Sequence, residues 1–162
     1  MPIVKQLFFL AFTLFTFALH GYDVIVSVAP HKYFVEKIAG DTLSVGLMVP
    51  AGASSHTYEP TPRQMINMGK ADIWFQIGES FETRAGQSLR SHNPHLQLVN
   101  LQRGLDLIRE HSCSHCQHAH PGSVDPHFWL SVRQGIIQAR TIADTLIATY
   151  PQHKDIFEKN LS

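Results

Sequence analysis

"DVIVSVAPHKYFVEKIAGDTLSVGLMVP", residues 23–50, decides the fold. Its first six residues, Asp23–Val28, are short, β-branched and almost wholly apolar, which suits a strand covered on both faces. Pro30 then opens a helical pattern with Phe34, Val35, Ile38 and Ala39 on one side, closed by Gly40. From Thr42 to Pro50 the chain alternates through Leu43, Val45 and Leu47, and Pro50 stops it. Strand, helix and strand at this spacing make a βαβ unit, and such units build parallel sheets.

The same alternation continues downstream. Thr61 and Pro62 read as an N-cap followed by Pro at the first helical position, leading a short helix through Met68. "ADIWFQIG" (71–78) is a third strand, Glu79–Ser91 a helix, and "LQLVNL" (96–101) a fourth strand. Ser131–Thr149 is helical through Ile136, Ala139, Ala143 and Leu146; Pro151 interrupts it before a further helical run. The expected class is α/β, a single lobe with a mainly parallel four-stranded sheet flanked by helices. Right-handed crossovers bring the loops after the strands to one edge, where such sheets bind ligands.

The chain has 162 residues, enough for one ordinary domain. Thirteen Lys and Arg balance thirteen Asp and Glu, so no charge field points to nucleic acid. The apolar run Leu7–Leu19 follows Lys5 and is too short for a bilayer span of about 20 residues; it suits a secretory signal peptide over residues 1–21. No cysteine follows that run to carry a lipid anchor, so the expected product is a soluble exported protein in an oxidising compartment.

Eleven histidines against two cysteines is the compositional anomaly. His56 sits in the Gly-, Ser- and Pro-rich loop after the second strand, and His127 in "DPHFWLS" (125–131), before a helix. Each alone reads as a capping or hydrogen-bonded loop residue. Together, at matching ends of two αβ units, they read as metal ligands, since neutral imidazole suits zinc and similar ions. Between them runs a tract, 109–122, holding His111, Cys113, His115, Cys116, His118 and His120. Its composition fits a flexible chelating loop, a disulfide, a thiol–disulfide centre or a solvated loop without function. His31, His92, His95 and His153 read as surface or capping residues, and Glu59 as a cap or salt-bridge partner. There is no HExxH, no G-x-S-x-G and no phosphate loop.

Three spaced motifs, "GASSHTYEPTP" (52–62), "ADIWFQIGESFE" (71–82) and "DPHFWLS" (125–131), resemble the N-terminal lobe of metal-binding solute-binding proteins of zinc and manganese ABC transporters. The resemblance implies that His56 and His127 are metal ligands and that the Cys/His tract gathers metal. It implies Zn²⁺ as cargo, with Mn²⁺ as the alternative, and delivery in the periplasm to a permease driven by an ATPase. Family members have about twice this length, with a second αβ lobe that supplies the remaining ligands. Residues 22–150 then correspond to one metal-binding lobe and 151–162 to the start of a truncated connecting helix, the site being completed by a second lobe or chain. No catalysis is implied. Two other readings stand beside it: a periplasmic CxxC thiol–disulfide oxidoreductase using Cys113 and Cys116, and a truncated remnant without function.

Overall fold

A computed structural model describes residues 21–108, 124–125 and 127–162 of the chain. The expected signal peptide, except its last residue, and the whole Cys/His tract lie outside the described residues. Four strands, β1 (Val24–Val26), β2 (Val45–Leu47), β3 (Ile73–Gln76) and β4 (Gln97–Asn100), form one sheet in the order β2-β1-β3-β4. Every pairing is parallel, with Val24 opposite both Val45 and Ile73, and Ile73 opposite Gln97. The helices are α1 (Ala29–Ala39), α2 (Pro62–Met68), α3 (Ser80–His92), α4 (Val132–Thr149) and α5 (Lys154–Leu161).

Side chains alternate across the pleat, so each strand feeds two cores. Val24, Val26, Ile73 and Phe75 meet Val35, Ile38, Ile142, Leu146 and Phe157 of α1, α4 and α5. Ile25 and Trp74 meet Met68, Phe81, Ala85 and Leu89 of α2 and α3 on the other face. This double burial explains why β1 and β3 read as nearly continuous apolar runs. Helix α5 is too short to be stable alone. Phe157, fully buried, fastens it with roughly 1.5–3 kcal/mol of apolar burial, and Asn160 Nδ2 donates to the Ile38 carbonyl at 3.1 Å.

Local signals set the boundaries. Thr61 Oγ1 accepts from Gln64 N at 3.3 Å, capping α2 with Pro62 at its first position. Gly40, at φ 58°, closes α1 with its N–H on the Glu36 carbonyl. The strands are shorter than the apolar runs that announce them. At the end of β1 the Ser27 N–H goes to the Phe75 carbonyl at 3.2 Å, and the chain turns into α1 at Ala29. Residues Gly40–Thr42 form a 3₁₀ turn before β2. At the lower edge of the sheet the Tyr150 hydroxyl donates to Asp72 Oδ2 at 2.8 Å, pinning the end of α4.

The chain leaves β1 toward β2, then returns past β1 to β3. The connections therefore diverge at the β1/β3 boundary, on the upper edge of the sheet, the position at which open α/β sheets bind ligands.

Candidate metal-binding site

The loops after β2, β3 and β4 meet at this upper edge, and each contributes one part of the site. His56 lies in a 3₁₀ turn, Ser55–Thr57, inside the stretch read as irregular. The Tyr58 hydroxyl bonds Gln64, and its ring meets Phe81 edge-on at 5.7 Å between centroids. These contacts tie the turn to α2 and α3. His127 precedes a second 3₁₀ turn, Phe128–Leu130, whose Phe128 is buried in the core. The two imidazole centroids stand 6.0 Å apart with planes at 70°. Both rings are about half exposed, at 55% and 50%.

A carboxylate stands behind each ring. Glu79 Oε1 lies 3.1 Å from His56 Nδ1 and also accepts from Ser55 Oγ at 2.8 Å. Asp125 Oδ1 accepts from His127 N at 2.9 Å and lies 2.8 Å from His127 Nδ1. The His127 amide and ring hold the Asp125 carboxyl below the usual carboxylate range. The hydrogen bond to Asp125 fixes the His127 ring with the proton on Nδ1 and the lone pair on Nε2, the form in which a histidine ligates a metal, and the Glu79 carboxylate at 3.1 Å favours the same form in His56. Trp129 covers the His127 ring at 5.3 Å between centroids.

Glu79 is itself held by Glu82, on the first turn of α3. Glu82 is buried and accepts from Ile77 N at 2.9 Å, Gly78 N at 2.8 Å and Glu79 N at 3.0 Å. It also accepts from the Ser27 hydroxyl, which in turn accepts from Trp74 Nε1 at 3.0 Å. Burial pushes the Glu82 carboxyl up, while Ser27 and the three amides oppose that rise. Gly78 has φ 90°, and a Cβ there would meet the Gln102 side chain at 2.6 Å, so only glycine fits this turn.

The sequence reading brings together His56 and His127 and misses what orients them. Asp125 precedes His127 by two residues, and Glu79 follows Gly78 at the end of β3; both are acids at the ligand edge, a signal that was readable. His31, expected at the surface, is fully buried. Its Nε2 lies 2.6 Å from Gln138 Oε1, and its ring packs against Phe34, Phe128 and Trp129. The helical pattern of α1 marks its apolar side by Phe34, Val35 and Ile38; a polar partner on distant α4 is what brings His31 inside. Burial lowers its pKa to about 4. Glu59 forms the expected salt bridge, 2.6 Å from Arg84, at an exposed position where it adds little. Among the described residues no third His, Cys, Asp or Glu joins the pair to form a larger metal-ligating group.

Fold and edge together define a class, the open parallel α/β lobes that bind a ligand at the upper edge of the sheet. Within it the chain belongs to the ZnuA family, described as zinc-uptake complex component A, periplasmic, whose profile matches residues 24–162. It is 37% identical over 140 residues to a Chlamydia muridarum protein to which metal binding is ascribed, covering 86% of this chain and 48% of that one. It is 32% identical to the metal ABC transporter substrate-binding lipoprotein FimA of Streptococcus parasanguinis, over 78% of this chain and 41% of that one. Its fold matches a crystal structure of a zinc-bound ZnuA deletion mutant with a TM-score of 0.73 at 33% identity, over 88% of this chain and 52% of that one. The chain spans about half the length of the first curated relatives it matches, 48% and 56%. The family match carries the metal-binding reading rather than the thiol–disulfide oxidoreductase reading.

Proposed function

We propose that this chain is the metal-binding lobe of a periplasmic solute-binding component of an ATP-driven uptake system, with Zn²⁺ as cargo and Mn²⁺ as the alternative. The observation that carries the reading is the pair of carboxylate-backed imidazoles, 6.0 Å apart, at the ligand edge of the sheet. An ion bound about 2 Å from both Nε2 atoms in tetrahedral geometry sets the ring centroids roughly 5 Å apart, close to the 6.0 Å separation of these two rings. His56 and His127 are the proposed ligands. The tract with His111, Cys113, His115, Cys116, His118 and His120 is proposed to gather metal near them. A relative named as a zinc-binding lipoprotein and one named as a manganese ABC transporter substrate-binding lipoprotein support both ions.

Zinc sites hold three or four protein ligands, so two imidazoles need completion. A second α/β half or another chain is proposed to supply it. Leu130 and Val132, 76% and 82% exposed, follow His127 in the chain, and Ile108 lines a groove of about 530 Å³ with Leu130 and His127. Apolar side chains beside a half-built polar site suit a face covered by another body. The role is to bind, hold and release to a permease and its ATPase, and requires no catalysis; residues 1–21 would direct export.

Calorimetric zinc titration of the chain without its leader, beside His56→Ala and His127→Ala, tests the reading. Each variant is expected to lose at least tenfold in affinity. Unchanged stoichiometry and affinity in both would overturn it.

A further inference from the structure

We propose that Glu82 is a positioning residue of the metal site, acting through Glu79 on the orientation and tautomer of His56. The inference rests on the reading of His56 as a ligand, but its geometry stands apart from any metal.

A glutamate at the third position of a helix ordinarily returns one bond to the N-cap amide. Glu82 does more. It takes the amides of three successive residues, Ile77, Gly78 and Glu79, and the Ser27 hydroxyl of a neighbouring strand end. Four donors converge on two buried oxygens, and bonds to a charged acceptor are about twice as strong as neutral ones. The result is a fixed backbone from Ile77, the first residue beyond β3, to the start of α3. Glu79 leaves that backbone at φ −73° and ψ 149°, and its Oε1 receives Ser55 and faces His56 Nδ1. The chain of contacts therefore runs from a buried acid, through one clamped amide, to the ring nitrogen. His127 depends on Asp125 in its own loop and shares none of these partners.

In Glu82→Gln, one carboxylate oxygen becomes an NH₂ that faces donors, so one pair of bonds is lost while the shape stays. The backbone at Gly78 and Glu79 is then less fixed, and Glu79 holds Nδ1–H less firmly. His127 is an internal control.

The experiment uses the ¹⁵N-labelled chain without metal, at a pH above the ordinary histidine range, and reads ring tautomers from two-bond ¹H–¹⁵N correlations. In the parent, both His56 and His127 are expected as the Nδ1–H form. In Glu82→Gln, His56 is expected to move toward a mixture with Nε2–H while His127 stays in place, and zinc affinity to fall on the order of tenfold. His56 remaining purely Nδ1–H overturns the proposal, and so does an equal change in both rings, which marks a general loosening. If Glu82→Gln fails to fold by near-ultraviolet circular dichroism, Ser27→Ala decides: it removes one donor to Glu82, and His56 alone is expected to move, less far, in the same direction. No movement there overturns the proposal. A parent that binds no zinc contradicts the ligand reading but leaves the tautomer comparison intact, so the two failures are distinguishable.

Discussion

Glu79 Oε1 stands 3.1 Å from His56 Nδ1, joining the loop after β3 to the loop after β2. Asp125 does the same for His127 within a single loop. Outer-sphere carboxylates of this kind raise ligand basicity and fix ring orientation, and their loss costs about 10–100-fold in metal affinity. Glu79→Ala and Asp125→Ala are each expected to weaken zinc binding by that factor in competition with a chromophoric chelator. The two carboxylates serve different rings of one site 6.0 Å apart, so the losses should couple, and the double variant should bind more weakly than either single one. A double variant no weaker than either single one would show that only one ring ligates.

Buried His31 couples stability to pH. Burial lowers its folded pKa to about 4 from 6.5. Between those values the unfolded chain binds more protons, so stability rises with pH across that window. The contribution is complete above pH 6.5 and is lost as pH falls through about 4. At pH 4.5 most of it is gone, a loss on the order of 2–3 kcal/mol relative to pH 7. Urea denaturation at both pH values should show parent stability falling by about that much more than His31→Leu; parallel falls would contradict it.

Tyr150 acts at the opposite edge of the sheet from the candidate ligands. Its hydroxyl donates to Asp72 and lies 3.2 Å from the Asp23 carbonyl; burial first, then Asp72, pushes its pKa far up. Tyr150→Phe should cost about 1 kcal/mol in chemical denaturation. Zinc affinity should not change, which separates the fold's lower lock from its upper site.

The exposed pair Leu130 and Val132 contributes little to this chain's own core. Leu130→Asp and Val132→Asp should shift unfolding free energy by no more than about 0.5 kcal/mol. They should also reduce binding of a hydrophobic fluorescent dye. A large destabilisation would mean that the face packs against the chain itself.

Much of this architecture is legible in the residues. The apolar runs at 24–26 and 73–76 betray a doubly covered parallel sheet, and Thr61, Pro62 and Gly40 mark helix ends by their backbone chemistry. Strand lengths are less legible, because Ser27 turns the chain while its neighbours Val26 and Val28 remain apolar. His56, in the loop after β2, and His127, ahead of α4, can be picked out as candidates. Glu82 and His31 cannot, because their roles arise from partners distant in sequence: Ser27 and Gln138 respectively. Periodicity reports which side of an element is apolar, not which polar groups meet across elements.

The central claim is that two imidazoles, not the cysteines, hold the metal in this lobe. Zinc K-edge X-ray absorption of the chain loaded with one equivalent tests it most directly. At least two imidazole nitrogens are expected at about 2.0–2.1 Å, with one fewer in His56→Ala. A first shell dominated by sulfur at about 2.3 Å, unchanged in His56→Ala, would contradict it.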